Sequence, residues 1–282
     1  MLTIAVIGHG FCGSATSLLE NPSAKFLIYD IVTEKCRPLG LKMSDLAVCD
    51  IIFICTPSPK NPDGSCHTDI VENVVRQLKS CVDTRKTHLV IRSTVPPHTS
   101  ERLDTFFMPE FLTEKNWHDD VYKCPLWIVG CKNGEKSIID DFMEKIRKLL
   151  ISAKSYGKIQ NDDVQFVSTS EAEMIKYFRN NFLSLKVSFC NEMEEFCRRS
   201  NIDYETVRKY AVKDSRIGES HTCVPGPDGQ HGFGGSCFPK DTSALLFEMD
   251  KIMDSYIVYS CVRRNSNVDR PNYVGEKGRA CV

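Results

Sequence analysis

Apolar runs of strand length recur through the first half of the chain, at residues 3–7, 25–29, 51–55, 88–91 and 126–129, with polar stretches of helical length between them. That alternation predicts a parallel sheet covered by helices. From about Ser168 the pattern changes. Residues 171–199 run without Gly or Pro and place apolar side chains at helical spacing, which predicts one long helix. Ser170 with Glu173 three positions later has the spacing of a capping box, so the helix is expected to start there. A second helix is expected over 204–213, then a Gly/Pro-rich segment at 224–235, then a third helix from Pro239 to about Asn265. The expected fold is α/β: a doubly wound, mostly parallel sheet over residues 1–160, then an all-helical domain over residues 161–282 that begins with the long helix. Residues 269–282 mix Pro, Gly and charge and are expected to fray. There is no internal repeat and no low-complexity tract.

Composition narrows the functional classes. Lys and Arg number 36 against 37 Asp and Glu, and they are dispersed along the chain, so bulk charge argues against a nucleic-acid partner or an anionic membrane. An anionic ligand would have to be held by a local site. No apolar run approaches the ~20 residues a membrane span needs, and a strand-like segment begins almost at the first residue; a soluble, cytoplasmic protein is the expectation. The fourteen cysteines show neither CxxC pairs nor a Cys/His ligand spacing. They are expected to be reduced, mostly buried and apolar in behaviour, with no metal site.

Chemistry enters first at Gly8-His9-Gly10-Phe11-Cys12-Gly13, directly after the first strand run and before a helical stretch. This is the GxGxxG spacing of a dinucleotide turn. Gly8 permits the tight turn, Gly10 lets backbone approach a pyrophosphate, and Gly13 allows close packing of helix on strand. Asp30, at the end of the next strand run, stands where an acid accepts from both ribose hydroxyls. Its charge would repel the extra phosphate of NADP, so the expected cofactor is NAD.

The second chemical segment is Gly232-Phe233-Gly234-Gly235-Ser236-Cys237-Phe238-Pro239-Lys240-Asp241. Pro239 suits the first turn of a helix and so puts Cys237 at or just before a helix N-terminus, where the dipole and Lys240 would favour a thiolate nucleophile. Against this stands the ordinary alternative, a structural cysteine near a flexible loop. The segment closely resembles the active-site loop of the UDP-glucose/GDP-mannose dehydrogenase family. Other segments resemble that family in the same order. They are Thr56-Pro57-Ser58-Pro59, Ser93-Thr94-Val95-Pro96, Pro109-Glu110-Phe111-Leu112-Thr113-Glu114, Lys176 with Asn180, Phe182-Leu183, Asn191-Glu192 and Asp214-Ser215-Arg216-Ile217-Gly218.

The resemblance implies NAD-dependent oxidation of a nucleotide sugar's primary alcohol to the carboxylate, UDP-glucose to UDP-glucuronate first, through a thiohemiacetal and then a thioester on Cys237. It implies that Lys176 and Asn180 steady the oxyanion, while Glu110, Glu114, Thr94 and Asp241 handle protons and the hydrolytic water. For the cofactor it implies Gly8, Gly10, Phe11, Cys12, Gly13, Asp30, Thr56, Pro57, Ser93, Thr94, Glu114 and Lys240. For the substrate it implies Glu110, Phe111, Leu112, Lys176, Asn180, Phe233, Gly234 and Cys237, with Arg216 reaching the substrate of a neighbouring subunit in a homodimer paired through the long helices. GDP-mannose and UDP-N-acetylhexosamines are alternative substrates under the same mechanism. A relative that binds NAD but needs a partner chain to complete the site is the alternative of a different class. The sequence departs from the family in stopping before a further nucleotide-binding α/β domain, and in a shortened stretch between Asp30 and Ser44 that implies a trimmed helix. It departs also at Met108, where Asn is frequent, and at Thr113 and Lys115.

Overall fold

The computed structural model describes residues 1–113 and 115–273. The chain divides into two compact units, residues 1–58 with 68–176, and residues 59–67 with 177–282.

The first unit is built on a sheet whose described strands run in the order β2-β1-β3-β4-β5-β6-β7. They are β1 (Leu2–Ile7), β2 (Ala24–Tyr29), β3 (Ile51–Ile54), β4 (His88–Ile91), β5 (Phe106–Phe107), β6 (Trp127–Cys131) and β7 (Val164–Ser168). All neighbours are parallel except β5 with β6. The expected doubly wound α/β class is therefore what forms. Alternation along the central strands explains it: Ile4 and Val6 of β1 enter one core with Ile51 and Phe53 of β3, while Ala5, Ile7, Ile52 and Ile54 enter the core on the opposite face. A sheet buried on both faces needs helices on both faces. α5 (Lys136–Ser155) supplies Phe142, Ile146, Leu149 and Ala153 to the first, and α2 (Asp69–Cys81) supplies Val71, Val75 and Leu78 to the second, each set at helical spacing. Between β2 and β3 only two short 3-10 turns form, Thr33–Lys35 and Met43–Val48, in keeping with the expected trimmed helix.

Sequence pattern misses β5 and β7. β5 is two residues long, and β7 lies at the sheet edge, half-buried, so neither has a long apolar run. The start of the long helix α6 (Thr169–Arg199) is also corrected. The reciprocal cap uses Ser168 and Glu171: the Ser168 N–H donates to Glu171 Oε2 at 2.8 Å, and the Glu171 N–H donates to Ser168 Oγ at 3.3 Å. Glu173 turns into the interior instead, fully buried, and accepts from the Ser100 N–H at 2.8 Å.

In the second unit α6 is followed by α7 (Tyr204–Ala211), capped by Asp203, and then by the loop that leads to α8 (Phe238–Met249). The single third helix expected over 239–265 is two. α8 ends at Asp250, and α9 (Ile257–Arg264) begins after a break that contains Asp254 and Ser255, short polar side chains that compete with helical backbone bonds. A π-helical turn, Asn265–Asp269, ends α9. Among the described residues no helix is long and apolar enough to cross a membrane.

Candidate functional site

In the first unit the Gly-rich turn joins β1 to α1 (Phe11–Ser17). Gly8 has φ +86°, and a Cβ there would lie 2.8 Å from the Cys55 carbonyl oxygen; a Cβ on Gly13 would overlap the Gly8 carbonyl. Gly10 faces open space, with nothing within 4 Å of an added Cβ, as a position that a phosphate approaches must. Phe11 and Cys12 open α1. Asp30 follows β2, and its carboxylate accepts from the His9 N–H at 2.6 Å and the Val32 N–H at 2.9 Å. A carboxylate has about four acceptor positions, so ribose hydroxyls can still be received.

Two turns at the carboxyl ends of β3 and β4 are tied to each other. Ser93 Oγ donates to the Thr56 carbonyl at 2.6 Å, and Ser58 Oγ donates to the Thr94 carbonyl at 2.6 Å. Thr56 Oγ1 is buried without a hydrogen-bond partner, a polar atom in want of a ligand, and Pro57 follows it in the same turn. Ligands of open α/β sheets bind outside the carboxyl ends of the strands, so these residues suit a dinucleotide.

Glu110 and Lys176 form a buried pair in the same unit, with side chains 10% and 3% exposed. Lys176 Nζ donates to Glu110 Oε1 at 2.7 Å and to the Glu110 carbonyl at 2.8 Å, while the Leu112 N–H donates to Glu110 Oε2 at 2.8 Å. Burial pushes the Glu110 carboxyl up, but the Lys176 charge and these hydrogen bonds outweigh it and hold the group below its ordinary value. It is therefore a carboxylate at neutral pH. The Phe111 ring lies 5.8 Å from the Lys176 ammonium. Glu114 lies outside the described residues.

Sequence reasoning missed Arg92. It is 4% exposed, its Nε and Nη1 have no hydrogen-bond partner, and with Glu110 it lines a cavity of about 30 Å³. That is room for a water. The available signal was a charged residue between the strand run at 88–91 and Ser93-Thr94, where an apolar strand end is the default.

In the second unit Cys237 is the N-cap of α8, with Pro239 in the first turn, as the sequence predicts. Its carbonyl accepts the first helical bond, from the Asp241 N–H at 2.8 Å, and its sulfur lies 3.7 Å from Ser236 Oγ. Asp241 is fully buried and takes two donors, Asn180 Nδ2 at 2.6 Å and Lys240 Nζ at 2.5 Å. Burial pulls the Lys240 ammonium down, yet the Asp241 carboxylate, and after it the Cys66 and Cys237 sulfurs, raise it above its ordinary value. A lasting positive charge near a helix N-terminus favours thiolate at Cys237. Phe233 is buried against Phe238, ring centroids 6.3 Å apart, and Gly234 continues the loop.

Lys176 and Asn180 are one turn apart along α6 and share a helix face. Among the described residues, Arg216 has an exposed side chain that pairs with Asp214 at 2.5 Å, in a turn that Lys186 Nζ holds through the Ile217 and Gly218 carbonyls.

Comparison with known proteins places the chain in a family. Residues 41–151 match the profile of the UDP-glucose/GDP-mannose dehydrogenase family, NAD binding domain, and residues 170–267 match that of the same family's central domain. A putative UDP-glucose 6-dehydrogenase of Bacillus subtilis is 32% identical over 220 residues, covering 72% of this chain and 47% of the relative. A UDP-glucose 6-dehydrogenase of Rickettsia bellii is 27% identical over 274 residues, covering 92% of this chain and 58% of the relative. The chain thus spans about half the length of these curated relatives. The solved structure of a UDP-glucose dehydrogenase from the archaeon Pyrobaculum islandicum shares the fold, with a TM-score of 0.79 at 24% identity, covering 95% of this chain and 68% of that one. With two adjoining domains of one family matched in order, the chain belongs to the UDP-glucose/GDP-mannose dehydrogenase family.

Proposed function

We propose that this protein is an NAD-dependent nucleotide-sugar dehydrogenase that oxidises a primary alcohol to a carboxylate through a covalent intermediate on Cys237, with UDP-glucose as the first candidate substrate. The observation that carries the reading is the placement of Cys237 as the N-cap of α8 with a buried, charged Lys240-Asp241 pair in the turn that follows. Residues 1–160 serve the cofactor in this reading, and residues 161–282 serve the sugar and self-association.

Gly8, Gly10, Gly13 and Asp30 would hold the dinucleotide, which when bound accepts one hydride; a second NAD, bound after the first NADH has left, would accept the second. The Cys237 thiolate adds to the aldehyde carbon, giving a thiohemiacetal; loss of the second hydride leaves a thioester, which water cleaves to free the carboxylate and the thiol. Negative charge develops on the same oxygen in each step. Lys176 and Asn180 supply an ammonium and an amide donor to it, and neither has to reorient far, because each is buried and already held. Glu110, kept ionised by Lys176, is a proton acceptor for the alcohol or the hydrolytic water, and Asp241 acts through water or orients Asn180. Thr94 and Glu114 complete the proton-handling set, and Arg216 reaches a neighbouring subunit's substrate.

Self-association through α6 is supported by its surface. Phe178, Phe182, Phe189 and Phe196 are each 59% exposed or more, and at 3.6 residues per turn they fall within roughly 40° of one another on the helix. Four exposed rings in a stripe are what a monomer does not leave in water and a second copy covers.

The test is NADH release by the purified chain with NAD and, in turn, UDP-glucose, GDP-mannose and UDP-N-acetylhexosamines. One substrate is expected to turn over, and Cys237→Ala to abolish it. Silence across the panel with NAD still bound would replace this reading with that of a chain needing a partner to complete its site.

A further inference from the structure

The loop before Cys237 carries Gly232, Gly234 and Gly235, and glycines give a chain more freedom than a nucleophile can tolerate. Four side chains remove that freedom. Asn265 pairs with Phe233 as a strand neighbour would, accepting from its N–H at 2.8 Å and donating to its carbonyl at 3.0 Å. Asn191, oriented by its own bond to the Val187 carbonyl, accepts from the Gly232 N–H at 2.9 Å. Arg270 donates through Nε to the His231 carbonyl at 2.7 Å and through Nη2 to the Gly232 carbonyl at 3.3 Å, and it pairs with Asp228 at 2.6 Å. Tyr273 Oη donates to the Gly235 carbonyl at 2.8 Å. Asn191, Asn265 and Arg270 are each 9% exposed or less.

Three of these four follow α9, where the backbone departs from α geometry. The Arg270 N–H bonds to the Asn265 carbonyl at 2.7 Å, five residues back, closing the π-helical turn Asn265–Asp269. Such turns aim side chains that a regular helix would point elsewhere, and they recur at functional sites. The loop glycines are fitted to the same segment. Gly232 has φ +65°, and a Cβ there would overlap Asn265 Oδ1 and lie 2.6 Å from Asp269 Cβ; a Cβ on Gly234 would overlap Arg270 Nη1. Gly232 and Gly234 are therefore glycines because the clamp approaches them, whatever the substrate requires.

We propose that residues 265–273 form a clamp that positions the Cys237 loop, with Asn265 and Arg270 as positioning residues for the nucleophile. The proposal rests on Cys237 being that nucleophile. Misplacing a reacting group by about 1 Å costs on the order of a hundredfold in rate, so a loop that holds its peptide planes at six backbone groups matters for turnover more than for binding.

The test compares wild type with Asn265→Ala, Arg270→Ala and the conservative Arg270→Lys. Three readouts are taken: amide hydrogen exchange of peptides covering residues 230–237, the pH profile of Cys237 alkylation by iodoacetamide, and kcat with the KM for NAD. Both alanine variants are expected to speed exchange of the loop at least tenfold and to move the alkylation midpoint to higher pH, as Cys237 leaves the α8 N-terminus. kcat is expected to fall at least tenfold with the KM for NAD within twofold of wild type, and Arg270→Lys to lie between. Folded variants with wild-type exchange and alkylation would overturn the clamp. Should the alanine variants fail to fold, Arg270→Lys decides on the same two readouts. If no nucleotide sugar is oxidised by wild type, the functional reading fails, while exchange and alkylation still decide the clamp.

Discussion

Glu110 and Lys176 are the residues on which charge and position are most tightly linked. Each is nearly out of water, so the pair is stable only as a pair. Lys176→Met is expected to lower stability by roughly 3–5 kcal/mol, because it leaves a buried carboxylate unmatched. The double variant with Glu110→Gln should recover much of that loss in urea unfolding while remaining inactive. Glu173 has the opposite electrostatic setting. Burial pushes its carboxyl up to about 7, and the hydrogen bond from the Ser100 N–H offsets only part of that. A carboxyl raised from 4.5 in the unfolded chain to about 7 in the fold takes up a proton on folding between those values. Its contribution therefore declines as pH rises from about 4.5 to 7 and is level above, a loss of about 3 kcal/mol. Glu173→Gln should flatten that dependence and leave the protein more stable than wild type at pH 8, as thermal melts at pH 5 and pH 8 will show. These residues also mark what sequence can disclose. Cys237, Lys176, Asn180 and Asp241 are legible as candidates through the resemblance; spacing alone, one turn within α6 and within α8, leaves Lys176 and Asn180 an ordinary solvated face. Arg92, Asn265 and Arg270 are not, because their roles depend on contacts with residues such as Phe233 and His231 that no periodicity relates to them.

Among the elements α6 does the most with its faces. Within the second unit it directs Asn180 and Asn181 toward Asp241, holds Gly232 through Asn191, and leaves its phenylalanine stripe exposed. If that stripe is a self-association face, Phe182→Lys with Phe189→Lys should shift the species seen in sedimentation velocity from dimer to monomer without changing the circular dichroism of the helix. A mutant that remains a dimer would place the contact elsewhere. The long helix is legible from sequence because an uninterrupted amphipathic run leaves few alternatives. The break between α8 and α9 and the start of α6 are not, since helix ends depend on local side-chain bonds: Ser168 caps with Glu171, while Glu173 accepts from the Ser100 N–H and Ser170 Oγ lies 3.0 Å from His98 Nδ1. Of residues 269–282, expected to fray, Asp269–Tyr273 is instead tied down through Arg270 and Tyr273, the signal for which lies in the loop they hold, and 274–282 lie outside the described residues.

In the function proposed above, the whole molecule performs two successive oxidations at one active centre without releasing the aldehyde between them. The placement of Cys237 with Lys240 and Asp241 gives this a chemical basis, since a covalent hold on the aldehyde carbon keeps it in place for the second hydride transfer. The parallel sheet and its cofactor turn are shared with dehydrogenases of many reactions and do not distinguish a two-electron dehydrogenase from a four-electron one. The most direct measurement is therefore the count of NADH formed per sugar consumed, with semicarbazide present to trap any free aldehyde. A covalent hold on Cys237 predicts two NADH per sugar, no trapped aldehyde, and no carboxylate from Cys237→Ala. One NADH per sugar with aldehyde captured in solution, or two from the Cys237→Ala variant, would contradict it.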